Sequence, residues 1–384
     1  MPRAAAMMAA MTTEKMSRFS DLLSPGAREL ARHSPTSPRM QPAESQRTLI
    51  RLDSNENPLG PSPRAIDAMR SALANANLYP DDDCNELRAA LAACYNVDAE
   101  QTLVTAGSTG LLSHLCQTLL SPGLNAVTSE RSFVVYSHLV RATGAQLIET
   151  PMREDTFDPA ALLNVINAKT RLVFLANPNN PTGTILSAAE VDNFLSRVPD
   201  HVIVVLDEAY YEYAAHFASL RGLEYSRSLD YVRQGASLVV LRTFSKAHGL
   251  AGLRVGYGFG PAELLASCAQ MRNTYSVASI AEAAALAAME DQDHVDRTMQ
   301  LNAEQAPILI KGLSDLKYRV VPTWANFLYC DVHEDALEFA ARLQREGVVI
   351  RPLRPWGAPR CVRVSIGTAE QNQFFLQAVA RIRQ

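Results

Sequence analysis

The chain has 384 residues, 47% of them hydrophobic, which is enough to bury a large core and excludes a disordered tail protein. Lys plus Arg is 36 and Asp plus Glu is 40, a net charge of −4, which disfavours a nucleic-acid binder built on a broad basic face. The six cysteines stand at least ten residues apart and the eight histidines show no ligand spacing, so no structural metal is expected and the scattered thiols point to a reducing cytoplasm.

Residues 1–47 read as a flexible N-terminal arm, rich in Ser-Pro turns, with one helix between Ala27 and His33. The short apolar run from Ala4 to Met11 is followed by no clear cleavage site, so it is not taken as an export signal. Residues 48–75 form a segment expected to serve a smaller domain and the mouth of the site, with a helix opening at Pro63. A second helix is expected at Asp83, where Glu86 gives the spacing of a capping box.

From there short apolar strands alternate with helices: Thr102–Thr105, Ala126–Ser129, Leu147–Thr150, Leu172–Ala176, Val202–Leu206 and Leu238–Leu241 read as strands. Fully apolar strands joined by helical crossovers predict a mainly parallel sheet covered on both faces, a three-layer α/β/α large domain over 76–290. Residues 291–384 read as a small α+β domain: a long helical stretch to Leu316, strands at Arg319–Val321 and Phe327–Asp331, a helix at Ala336–Arg345, and a last strand-helix unit. No apolar stretch approaches the about 18 residues that span a bilayer, so no membrane partner is expected.

Ligands of such sheets bind beyond the carboxyl ends of the strands, and four of those ends carry polar residues. One places Ser245 and Lys246 directly after a strand, with Arg254 nearby; a lysine amine can form a Schiff base with a carbonyl cofactor, while Ser245 and Arg254 can hold an adjacent phosphate. That combination suggests pyridoxal phosphate. Asp207, after four apolar residues, needs a cationic partner that a protonated pyridine nitrogen can supply, and Tyr210 follows three residues later. The turn Asn177-Pro-Asn-Asn180-Pro-Thr-Gly183 offers an asparagine for a ring oxygen, and Gly107-Ser108-Thr109-Gly110 offers N–H groups and hydroxyls to a phosphate.

Together with Leu52-Asp-Ser-Asn55-Glu-Asn57-Pro, Tyr79-Pro80 and Arg363-Val-Ser-Ile-Gly-Thr368, these motifs give the chain a resemblance to the fold-type I class I/II aminotransferases, the histidinol-phosphate aminotransferases in particular. The resemblance covers roughly residues 48–384. It implies that Lys246 is the Schiff-base lysine and proton shuttle, that Asp207 keeps the pyridine nitrogen protonated, that Asn180 and Tyr210 bond the ring hydroxyl, and that Phe133 stacks on the ring. It implies a phosphate site of Gly107, Ser108, Thr109, Ser245 and Arg254, completed by Tyr79 across a homodimer. Arg363 is then the anchor for a substrate carboxylate, Arg351 a residue for a substrate phosphate, and Asn55 and Asn57 line the mouth. The implied reaction is transamination between L-histidinol phosphate and 2-oxoglutarate. An aromatic amino-acid aminotransferase and, further off, a phospho-amino-acid decarboxylase share the same cofactor motifs. His248, where relatives carry an aromatic, is expected to be a packing or hydrogen-bonding variant. A nicotinamide enzyme is disfavoured because Gly256-Tyr-Gly258-Phe-Gly260 ends on Pro261 where the fingerprint needs glycine.

Overall fold

The structure, a computed structural model, describes residues 22–32 and 49–383. Most of the expected N-terminal arm therefore lies outside the described residues; the helix expected at Ala27–His33 is found at Pro25–Arg32 and packs on the Val135–Ala142 helix. Gly26 makes that contact so close that a Cβ there would stand 1.9 Å from the Ala142 carbonyl oxygen.

The chain enters through β1 (Ile50–Arg51) and then builds a central sheet from β2 (Thr102–Thr105), β3 (Asn125–Ser129), β4 (Gln146–Thr150), β5 (Thr170–Ala176), β6 (Ile203–Asp207), β7 (Leu238–Thr243) and β8 (Gly256–Phe259). Their spatial order is β2-β8-β7-β6-β5-β3-β4. Only β8 runs against its neighbours, so β2 and β7 on either side of it share one direction with β3 to β6. Val204, Val205 and Leu206 on β6 and Leu238 to Leu241 on β7 are buried throughout, as strands covered by helices on both faces must be. The carboxyl ends of β2, β3, β5, β6 and β7 therefore open on one edge, and that edge collects all the polar motifs after the strands.

Strand β8 is absent from the expectations, and its glycines explain why. Gly256 and Gly258 break the apolar pattern because the Ser108–Leu119 helix lies against them: a Cβ at Gly256 would stand 2.3 Å from the Ser108 amide nitrogen, and one at Gly258 2.4 Å from Leu111. The same closeness brings the start of that helix onto the sheet edge.

Five more strands follow: β9 (Arg319–Val321), β10 (Phe327–Asp331), β11 (Val348–Val349), β12 (Arg351–Pro352) and β13 (Cys361–Ser365). Strands β12-β13-β10-β9 form one antiparallel sheet, while β11 pairs in parallel with β1. Leu309, Leu328, Phe339, Leu343, Val364 and Phe375 form a core of their own under it.

Residues 48–75 divide between these cores: Ile50 and Leu52 join the second, whereas Ala65 and Met69 of the Pro63–Ala72 helix pack with the first. The expected capping box at Asp83 is not made, because Cys84 takes a left-handed conformation before the Asn85–Tyr95 helix. Asp81 instead accepts the Asn85 amide at 2.8 Å, and Asp83 pairs with Arg272. Among the described residues no helix is long and apolar enough to cross a membrane.

Gly256→Ala is expected to lower stability by about 1–3 kcal/mol through overpacking. Gly252→Ala, whose new methyl meets nothing within 4 Å, serves as the control in the same denaturant titration and should leave the midpoint in place.

Candidate active site

At the sheet edge a cavity of about 450 Å³ is lined by residues from both sheets and from the segment after β1. Twelve of the site residues expected from sequence are in its wall: Asn55, Ser108, Thr109, Phe133, Asn180, Asp207, Tyr210, Ser245, Lys246, Arg254, Arg351 and Arg363. Gly107 sits directly behind it, at φ +74, where a Cβ would stand 2.5 Å from Arg254 Nη2. Only glycine lets the guanidinium come this close to the turn.

Asp207 ends β6 and is buried, its Oδ2 accepting from Tyr136 Oη at 2.7 Å and its Oδ1 from the Ala209 amide at 3.2 Å. Burial pushes the Asp207 carboxyl up from its ordinary value, and the Tyr136 hydrogen bond works against that rise. Tyr136 is a site residue that the sequence reading did not single out; it stacks on Phe174 at 4.6 Å and meets Phe133 edge-on at 5.6 Å. Its place three residues after Phe133, near the start of the Val135–Ala142 helix, was the available signal.

Lys246 lies in the turn after β7. Its Nζ donates to the carbonyls of Ser54 and Asn55, each at 3.2 Å. Burial, with repulsion from Arg363 and Arg254 and some opposition from Glu56, brings the Lys246 ammonium down to about 7. An amine poised there is half neutral at physiological pH, so it can act as a nucleophile and can take or give a proton. Ser245 Oγ accepts from Arg254 Nη1 at 3.3 Å, which joins the lysine turn to the Ser108–Thr109 helix start as one polar, anion-ready corner.

The segment after β1 closes the opposite wall. Asn55, at φ +56, donates through Nδ2 to Tyr210 Oη at 2.9 Å, receives Ser365 on its side chain, and offers its carbonyl to Asn326. Asn180 Oδ1 accepts from Arg363 Nη1 at 2.7 Å. Burial, with Arg351 adding repulsion, brings the Arg363 guanidinium down to about 10.

Besides Gly107, two expected site residues, Asn57 and Tyr79, stand outside the cavity wall. Asn57 faces away, its Nδ2 donating to the Ala247 carbonyl at 2.9 Å and to Thr298 at 3.1 Å, so it supports the lysine turn from behind. Tyr79 is 82% exposed and stacks on Tyr275 at 4.5 Å. His248 is buried against Phe244, ring centres 4.9 Å apart, and burial holds its imidazole down to about 4. Among the described residues no group of His, Cys, Asp or Glu is placed to hold a metal.

The family model described as aminotransferase class I and II matches residues 47–379. The chain belongs to the class I and II aminotransferases. Histidinol-phosphate aminotransferase 2 of Pseudomonas fluorescens strain Pf-5 is 40% identical over 368 residues, covering 95% of this chain and 98% of that one. The Moorella thermoacetica histidinol-phosphate aminotransferase is 41% identical over 335 residues, covering 87% and 85%. Among solved structures, the Sinorhizobium meliloti histidinol-phosphate aminotransferase in complex with pyridoxal-5'-phosphate superposes with a TM-score of 0.80 at 26% identity, covering 94% of this chain and 95% of that one. Aspartate aminotransferase from Thermus thermophilus with maleate gives 0.78 at 25% identity, covering 94% and 97%. This aminotransferase has the expected fold: the fold-type I arrangement with a mainly parallel sheet.

In cofactor-free protein, amine-directed acylation of Lys246 should titrate with a midpoint near pH 7, set by its lowered value. Peptide mapping after labelling at a series of pH values reads this directly. A Lys246 labelled only above pH 9 would show that the amine is charged in the fold.

Proposed function

We propose that this aminotransferase moves an amino group between L-histidinol phosphate and 2-oxoglutarate, giving imidazole-acetol phosphate and glutamate, with pyridoxal 5'-phosphate as cofactor. The observation that carries the reading is a lysine, a buried carboxylate and two arginines around one cavity, in a chain about 40% identical to enzymes named for that reaction.

The residues fit the cofactor. Asp207 has one hydrogen bond on each oxygen and no cationic partner among the described residues, the role a protonated ring nitrogen fills. Ser108, Thr109, Ser245 and Arg254, around a Gly107 that leaves no room for a methyl group, suit a phosphate; Asn180 and Tyr210 suit the ring hydroxyl; Phe133 suits a ring face. Bound there, pyridoxal phosphate supplies a carbonyl for the lysine and an electron-withdrawing ring that stabilises negative charge at the substrate α-carbon.

On this reading the protein's own work is fixed by four groups. Lys246 would hold the cofactor through its amine and would move the proton at the substrate α-carbon. Asp207 keeps the ring nitrogen protonated, and Tyr136, by donating to Asp207, opposes the rise that burial imposes on that carboxyl. Arg363 anchors the carboxylate of the glutamate pair, and Arg351 takes the phosphate end of the other substrate. Residues 76–290 serve as the cofactor unit, and 291–384 with the segment after β1 deliver the arginines.

The reading includes a homodimer. Tyr79 and Tyr275 form a stacked pair, and Leu73 and Leu78 nearby are 59% and 61% exposed, an apolar surface that a second copy would cover. Six free cysteines fit a cytoplasmic location.

Adding L-histidinol phosphate without any oxo acid to the purified holoenzyme should convert the cofactor's absorbance to that of its amine form. A response to L-phenylalanine alone would transfer the enzyme to the aromatic amino acids. Lys246→Ala should abolish turnover. Asp207→Asn should keep the cofactor bound while kcat falls on the order of a hundredfold, since a neutral amide cannot hold the ring nitrogen protonated; an unchanged kcat would remove Asp207 from that role.

A further inference from the structure

Arg351 and Arg363 are direct partners across the antiparallel strands β12 and β13. Like charges facing each other across a strand pair oppose folding, so something must hold them together. Asp53 does so from the segment after β1. Its Oδ2 accepts from Arg351 Nη2 at 3.3 Å, and its carbonyl accepts both Arg351 Nε at 3.2 Å and Arg363 Nη2 at 2.8 Å. The carboxylate is 7% exposed and also meets Arg51, whose own side chain is 63% exposed. Main-chain bonds fix the segment: the Leu52 amide donates to the Val349 carbonyl, and the Ser365 amide to the Leu52 carbonyl, each at 2.8 Å.

The two arginines depend on Asp53 unequally. Arg363 is buried and keeps a second hold through Asn180. The Arg351 side chain is 38% exposed, and every side-chain hydrogen bond it makes among the described residues goes to Asp53. The Asp53 carboxylate meets Arg351 and Arg51, whereas Arg363 meets the Asp53 carbonyl, so the Arg363 charge has no carboxylate in hydrogen-bond contact among the described residues and stays directed at the cavity both arginines line.

We propose that Asp53 is a positioning residue that fixes Arg351 beside Arg363, so that the two act as a paired receptor for a dianionic group such as a phosphate ester. This rests on the reading of a phosphorylated amino donor. Without the carboxylate, Arg351 must lose its side-chain freedom when the dianion binds, and binding weakens. A carboxylate that merely repelled anions would have the opposite effect, because its removal would tighten them.

The test uses holoenzyme of the wild type, Asp53→Asn, Arg351→Ala and the double variant. Inorganic phosphate and acetate are the inhibitors at pH 8, beside the steady-state constants for L-histidinol phosphate. Asp53→Asn keeps the carbonyl and the volume. It should raise the phosphate inhibition constant and the KM for histidinol phosphate about tenfold, the cost of one lost charge-assisted hydrogen bond, with the larger part of the effect in KM. The acetate constant should move less than twofold, and in the Arg351→Ala background the Asp53 change should add less than twofold to either phosphate reading. Unchanged or tighter phosphate binding in Asp53→Asn, or an equal effect with and without Arg351, would overturn the proposal; so would a wild type that phosphate does not inhibit. A wild type that ignores histidinol phosphate yet is inhibited by phosphate would end the substrate reading alone, because the inhibition can be measured with whichever amino donor the enzyme accepts.

Discussion

A primary amine buried deep enough to lose half its charge near pH 7 is costly to a fold, and much of this structure is arranged around that one group. The Lys246 ammonium lies in the cavity wall near two guanidinium groups, with two carbonyl oxygens as its hydrogen-bond partners among the described residues. Those carbonyls belong to Ser54 and Asn55, some 190 residues away in sequence. The lysine turn from β7 and the segment after β1 are thus tied together at the reacting atom. The closeness continues beyond it: Gly249, at φ +71, leaves so little space that a Cβ would lie 2.2 Å from the Gly60 carbonyl oxygen. Asn57 fills the remaining gap with its bonds to Ala247 and Thr298.

The sheet beneath supplies rigidity and sorts charges by direction. Asp207 and Glu208 are neighbours at the end of β6, and successive side chains leave a strand on opposite faces. Asp207 lines the cavity, whereas Glu208 forms a fully buried pair with Arg242, with contacts at 2.8 and 3.0 Å. Arg242 in turn lies over the Tyr211 ring at 3.4 Å. Breaking such a pair would leave a charge uncompensated in the interior, so β6 and β7 are held in register just where their ends carry Asp207 and Lys246. The second sheet contributes differently. Its antiparallel strands set two arginines face to face, an arrangement that lowers stability and makes sense as an anion receptor.

How much could be read beforehand varied with the physics of each element. Strands β2, β9 and β10 lie where the apolar pattern put them, and so does the Ala336–Arg345 helix, because their local patterns agree with their tertiary surroundings. Strand β8 was hidden because its alternating glycines answer to a helix packed against it, a demand that no local pattern expresses. The start of the Asn85–Tyr95 helix went to Asp81 instead of Asp83 because Cys84 turns left-handed before it, while Asp83 pairs with Arg272, far along the chain.

By itself the sequence determined the chemistry on offer: a lysine after one strand, an aspartate after another, an asparagine-proline turn and a glycine-serine turn after two more, and the family those motifs share. Parallel strands must end on the same edge, so these residues had to meet, and local order was enough to say so. Tertiary structure alone decided which side each group faces. It turned Asn57 behind the lysine, brought Tyr136 onto Asp207, left Tyr79 on the surface, and set Asp53 between two arginines. Each of those outcomes depends on contacts between segments distant in the chain, where the packing of one surface against another fixes direction and spacing that no stretch of residues carries alone.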